Sequence, residues 1–241
     1  MSFENRLATT RALLDEIARD YPGAVLANSL GAEDMVLTDL IARAGLPISI
    51  FSLDTGRLPE ETLELLQRAQ VRYPELRFQV YYPDHAALEA FVAARGINAF
   101  YQSVELRKSC CEVRKIEPLR RALAGRPAWL TGLRRQQSPT REGLGDRAFD
   151  NDNGLMKFNP LIEWSEQDVW DYIRAGDVPY NVLHDRHYPS IGCAPCTRAI
   201  AVGEDLRAGR WWWENPESKE CGLHVSRLDA PAAQGSKHVS I

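Results

Sequence analysis

Short apolar runs separated by helical repeats fill the first half of the chain. "GAVLANS" (Gly23–Ser29), "ISIFSLD" (Ile48–Asp54) and "FQVYY" (Phe78–Tyr82) have the continuous apolar character of strands buried on both faces. Between them, "AEDMVLTDLIARAG" and "PEETLELLQRAQ" repeat apolar residues at helical spacing, with Pro59 suited to a first turn. "AWLTGL" (Ala128–Leu133) reads as a fourth strand, and "LMKFNPLI" (Leu155–Ile162), with its proline, as an edge strand. An amphipathic helix opens the chain, and "SEQDVWDYIRAG" carries a capping signal at Ser165. Strands alternating with helices predict an α/β fold with a doubly wound, mostly parallel sheet. Residues 134–154 are polar and rich in turn formers, which predicts a surface loop. The expected division is one domain over residues 1–213 and a flexible C-terminal tail over 214–241, where apolar residues become too sparse to pack.

Composition narrows the function classes. The 241 residues are 44% hydrophobic and 26% charged, ordinary for a chain with a real core, and the formal net charge of −4 gives no global attraction to nucleic acid or anionic membrane. No run resembles a signal peptide or a membrane span, so a cytoplasmic protein is expected. Five cysteines, Cys110, Cys111, Cys193, Cys196 and Cys221, are an odd count that suits ligation better than a disulfide framework.

Chemistry gathers at the strand ends. In "NSLGAEDMVL", Ser29, Leu30 and Gly31 leave the first strand and open a helix, where N-terminal amides favour an anion. The segment lacks a phosphate-binding lysine and carries Glu33 and Asp34, which would repel a triphosphate; a single phosphate-type group fits better, and a plain capped turn is the bland alternative. Asp54, Thr55, Gly56 and Arg57 end the second strand in the same manner, although a helix-capping turn explains them equally. Gly132, Arg134 and Arg135 follow the fourth strand, and Arg207 and Arg210 precede the run Trp211–Trp213; arginine is the multi-donor suited to sulfate and phosphate.

Cys193-Ala-Pro-Cys196 has a spacing used for zinc, iron–sulfur clusters and redox dithiols. Cys110 and Cys111 would point about 100° apart in a regular helix, so joint ligation needs a helix end or a kink, and a 4Fe–4S cube with separate iron corners suits them better than one zinc. Arg107, Lys108, Arg114 and Lys115 surround the pair and can offset thiolate charge, with Lys115 one turn beyond Cys111 and able to reach a bound anion. Cys221, between Lys219 and His224, has the surroundings of a nucleophilic thiolate; a stray exposed thiol is the alternative.

From Leu26 to His224 the chain resembles the assimilatory adenylylsulfate (APS) reductases within the phosphoadenylylsulfate (PAPS) reductase family. The resemblance rests on Ser29–Asp34, Leu53–Arg57, Cys110-Cys111 with Lys115, Gly132–Ser138, the CxxC and "KECGLH" (Lys219–His224). It implies an adenine nucleotide alpha hydrolase-like fold, one 4Fe–4S cluster on Cys110, Cys111, Cys193 and Cys196, and thioredoxin-dependent reduction of APS to sulfite and AMP. Cys221 would be the nucleophile and pass through an S-sulfocysteine, with Lys115 and His224 assisting and oligomerisation common among relatives. Three rival readings carry different expectations: a cluster-bearing reductase preferring the 3′-phosphorylated nucleotide, an ATP-dependent thiolation enzyme, and a non-enzymatic iron–sulfur redox sensor. Residues 225–241 have no assigned role.

Overall fold

The computed structural model describes residues 2–137 and 143–215. Six strands form one sheet: β1 (Val25–Ala27), β2 (Ser49–Leu53), β3 (Phe78–Tyr81), β4 (Ala128–Leu130), β5 (Arg147–Asp150) and β6 (Leu155–Phe158), in the order β3-β2-β1-β4-β6-β5. All neighbours pair parallel except β5, which runs antiparallel to β6. Strands alternate their side chains between faces, and both faces are covered. Leu26, Ile50 and Leu130 face a core shared with α1 (Phe3–Asp20), α2 (Ala32–Ala44), α3 (Glu60–Arg72) and α7 (Glu166–Gly176). Val25, Phe51 and Trp129 face Leu119, Ala122 and Leu123 of α6 (Glu117–Leu123) on the other side.

Local signals explain where these helices begin and what ties them down. Ser165 caps α7 with a reciprocal box to Asp168, and Arg6 of α1 reaches the same carboxylate at 2.7 Å. Buried Asp39 of α2 accepts from Tyr73 Oη at 3.0 Å and Tyr172 Oη at 2.8 Å, joining α2 to the end of α3 and to α7. Pro59 stands at the N-cap of α3, one position ahead of its first turn. Among the described residues, no helix is long and apolar enough to cross a membrane.

Two expectations are corrected. β6 is an inner strand, because Pro160 lies beyond its last residue and leaves every ladder donor of Leu155–Phe158 intact. The edge is β5, inside the segment expected to be loop. Its side chains are mostly exposed, so it has no apolar pattern to announce it, and its pairing with β6 supplies what propensity lacks.

One further helix carries the double cysteine. After α4 (His85–Arg95), α5 (Val104–Cys111) starts on a Ser103 cap and ends at the double cysteine. A π-helical turn, Glu112–Ile116, separates it from α6. This turn is a departure from regular helix geometry directly after the double cysteine.

Candidate functional site

The chain reverses direction across the sheet between β1 and β4, and the crevice at such a switch point is where open α/β sheets take ligands. A cavity of about 510 Å³ occupies it. Phe51, Leu53, Leu119 and Trp129 form an apolar wall; Ser29, Gly31, Thr55, Lys115, Gly132, Arg134, Arg207 and Arg210 form a polar one. An apolar slot beside converging cations suits a flat base carrying an anionic tail.

The loop after β1 is wound by its own side chains. Asn28 Oδ1 accepts from Leu30 N at 2.6 Å, and its amide donates to Thr38 Oγ1 at 2.9 Å. Leu30 takes a left-handed backbone, φ 64°, and is buried in the core, so it shapes the loop and does not line the cavity. Asp34 Oδ2 accepts from Ser29 N at 2.7 Å and Ser29 Oγ at 2.6 Å, while its Oδ1 accepts from Gly132 N at 3.0 Å. One carboxylate therefore ties the β1 loop to the β4 loop. Burial pushes its pKa up to about 6 against the pull of the Ser29 bonds. A Cβ on residue 132 would run into Asp34 Oδ1 and stand 2.8 Å from Glu33 Cβ, which is why glycine is required there. Arg134 Nε donates to Glu33 Oε1 at 2.8 Å, and Gln137 Nε2 to the same oxygen at 2.9 Å.

The cysteine centre lies behind the cationic wall. Cys110, Cys193 and Cys196 are buried together with Phe100 and Trp211, and Cys111 is half-buried on the same helix end. Thr55 Oγ1 is 3.2 Å from Cys193 Sγ. Burial raises the Cys110 pKa; the charge of Arg114 opposes it, and Cys193 adds to it. Cys196 is pushed up to about 12 by burial and by its neighbours Cys193 and Cys111, against the pull of Lys115 and Arg210. Of the run around the double cysteine, Arg114 and Lys115 of the π turn thus act on the thiols, joined by Arg210 beside the Trp run. Arg210 stacks on Trp211 at 4.5 Å and packs against Gly192, where a Cβ would collide with its guanidinium.

Several sequence-predicted residues are placed elsewhere. Asp54 Oδ1 accepts from Gly56 N at 2.8 Å, and Gly56, at φ 68°, closes a turn against Arg114. Arg57 donates to Ile97 O at 2.6 Å and Asn98 Oδ1 at 3.0 Å, while its own carbonyl accepts from Ala194 N at 2.8 Å. This turn is a brace for the CxxC and leaves only Thr55 on the cavity wall. Arg135 pairs with Glu163 at 2.8 Å and donates to Leu144 O, outside the cavity. Lys108 is exposed, and Arg107 is buried against Glu214. Cys221 and His224 lie outside the described residues. Sequence reasoning missed Glu33 as the partner of Arg134, and His184 and Glu166 in the far cavity wall.

Comparison with known proteins points to one chemistry. Residues 23–199 match the family described as the phosphoadenosine phosphosulfate reductase domain. A protein of Allochromatium vinosum named adenosine 5′-phosphosulfate reductase is 56% identical over 236 residues, covering 98% of this chain and 91% of its own. One of the same name from Burkholderia cepacia is 53% identical over 230 residues, covering 94% and 92%. Among solved structures, a phosphoadenylyl-sulfate reductase from Candida auris in a phosphate complex superposes with a TM-score of 0.69 at 26% identity, covering 80% of this chain and 90% of its own. Candida glabrata FMN adenylyltransferase, at 15% identity and TM-score 0.55 with 90% and 76% covered, shares the fold.

Proposed function

Since the chain belongs to the phosphoadenosine phosphosulfate reductase family and is an oxidoreductase that reduces adenosine 5′-phosphosulfate in sulfate assimilation, we propose that it does so with a thiol nucleophile, Cys221, and with thioredoxin as the final reductant. The observation that carries this reading is the position of Lys115. It lines the nucleotide cavity, and its charge acts on Cys196 of the cysteine centre.

In this reading the adenosine enters the apolar slot between Phe51, Leu53 and Trp129, with its phosphate toward the Ser29–Gly31 loop. Lys115, Arg134, Arg207 and Arg210 gather the oxygens of the phosphosulfate. The Cys221 thiolate attacks the sulfur atom and forms an S–S bond. The S–O bond to the nucleotide phosphate breaks, and AMP leaves with the electron pair, its charge held by the same cations. His224 takes part in placing or tuning Cys221. A thiolate of reduced thioredoxin then attacks the Cys221 sulfur. Sulfite departs with the electrons of the S–S bond, and the mixed disulfide resolves to oxidised thioredoxin and free Cys221. Both electrons come from the carrier dithiol.

The donor set fits one 4Fe–4S cluster. Three buried cysteines and the half-buried Cys111 lie beside Phe100 and Trp211, two of them at a π turn, and Arg114, Lys115 and Arg210 are placed to balance thiolate charge. Four thiols that act on one another suit the separate iron corners of one cluster. When bound, the cluster supplies electrostatic polarisation near the sulfate. Lys115 bridges that region and the substrate.

Sulfite release from APS and from its 3′-phosphorylated form, driven by reduced thioredoxin, tests the reading. Faster turnover on APS is expected; preference for the 3′-phosphate would transfer the assignment to the other branch of the family.

A further inference from the structure

The cysteine centre carries aromatic side chains out to solvent. Phe100 and Trp211 pack with Cys110, Cys193 and Cys196, and Trp213 lies against them. Around these stand Ile97, Tyr101 and Trp212, large apolar side chains that are 59%, 43% and 39% exposed. The Tyr101 ring is 4.4 Å from that of Trp213 and 6.3 Å from that of Trp212, which itself stands 4.8 Å from Trp213. Tyr101 Oη donates to Pro195 O, inside the CxxC, at 2.8 Å. Arg57 stacks on Phe100 at 5.1 Å and donates to Ile97 O at 2.6 Å. The patch is therefore built onto the cysteine centre.

Tryptophan and tyrosine supply much of the binding energy where proteins meet. The place of this patch in the chain says which meeting it serves. Asn215, the last described residue, precedes Cys221 by six residues, a length of chain that spans at most about 20 Å. A sulfonated Cys221 must meet its reductant within that reach, and Trp212 lies three residues before Asn215. The intervening residues 216–220, "PESKE", hold no large apolar side chain to cover the patch. A permanent contact between copies of one chain buries on the order of 2,000 Å² or more, whereas a transient redox encounter buries less than about 1,200 Å². Three exposed side chains suit the second.

We propose that Ile97, Tyr101 and Trp212 form the docking surface for the protein dithiol that reduces Cys221. The inference rests on the thioredoxin reading given above and deepens it by stating where the carrier sits. None of the three residues lines the nucleotide cavity, so a carrier seated on them reaches the arm without taking the place of APS. The surface contributes to binding of a protein carrier alone, since a small dithiol has no apolar face to lay on it.

Sulfite release by the cluster-bearing chain, driven by reduced thioredoxin or by dithiothreitol, tests it in the wild type, Trp212→Ala and Ile97→Asp. Ile97→Asp puts a charge on an exposed position, so it folds with little disturbance. Both variants are expected to raise the KM for thioredoxin about tenfold or more, the effect of losing one anchor of a protein contact. Release by dithiothreitol, and formation of the sulfonate adduct from APS alone, are expected to keep wild-type rates. An unchanged KM in folded variants of native iron content would overturn the proposal. So would an equal loss with dithiothreitol or in adduct formation, which would give the patch to the arm, or a change in subunit number on light scattering, which would make it a contact between copies. A wild type driven by dithiothreitol but not by thioredoxin would overturn the carrier reading itself.

Discussion

Arg107 and Glu214, far apart in the chain, meet in two parallel hydrogen bonds of 2.9 Å, with side chains only 1% and 3% exposed. Arg107 lies on α5 one turn before the double cysteine and stacks on Trp211 at 4.6 Å. Trp211 N donates to Cys196 O at 3.2 Å, and Glu214 N to Trp211 O at 2.8 Å. The pair therefore staples the last described turn to the cysteine-bearing helix and to the CxxC. Glu214, assigned by the sequence to the C-terminal segment, packs with the body of the domain.

Removing one partner would strand a buried charge. Glu214→Gln is expected to lower unfolding stability by about 3–5 kcal/mol, and the double change Arg107→Met/Glu214→Met to recover much of that loss. Denaturant unfolding of preparations with equal iron content checks both. Equal destabilisation in the single and double variants would show that the pair's geometry, and not its stranded charge, sets the cost.

Lys115→Ala should separate cofactor retention from turnover. The visible absorbance of the cluster is expected to persist, because the four thiols remain, while sulfite production falls about 10²-fold or more with the loss of one preorganised cation. Unchanged turnover would remove the link between the cysteine centre and the substrate.

Gly132→Ala is expected to destabilise by about 1–3 kcal/mol, the usual cost of overpacking. The new methyl would meet Asp34 Oδ1 and Glu33 Cβ and force the two loops apart. AMP affinity should fall with it, as measured by calorimetry, because the cavity wall moves. A variant with native stability and affinity would contradict the close approach of β4 to α2.

Asp34 should leave a signature in the pH dependence of stability. Its folded-state pKa, about 6, lies above the ordinary 3.8, so the folded protein binds this proton more tightly than the unfolded chain. The stabilising contribution is complete below a pH of about 4 and is lost as the pH rises through about 6, on the order of 3 kcal/mol in all. Asp34→Asn is expected to flatten the stability profile in that window. A profile of the same slope in wild type and variant would mean that Asp34 titrates normally.

Much of the architecture was legible because buried parallel strands write themselves as apolar runs: β1 through β4 lie within the predicted segments, and Ser165 announced α7. β5 was not legible, since an exposed strand paired on one side needs no apolar pattern. The proline of the next run pointed to an edge only while its position relative to the strand end was unknown. At the site, the four cysteines and Lys115 stood out by type and spacing. Asp54, Gly56 and Arg57 were read as ligand-binding because they end a strand, yet their hydrogen bonds brace the CxxC. Long-range pairings such as Arg107 with Glu214 and Arg134 with Glu33 leave no local trace, because each half is an ordinary charged residue in its own segment.

The division of labour between four ligating cysteines and one attacking thiol is tested most directly by mass spectrometry of the cluster-bearing chain mixed with APS in the absence of any dithiol. A sulfonate adduct on the peptide containing Cys221, absent from Cys221→Ser and released as sulfite when reduced thioredoxin is added, is the predicted result. An unmodified Cys221 together with sulfite already formed, or an adduct on any of the other four cysteines, would contradict it.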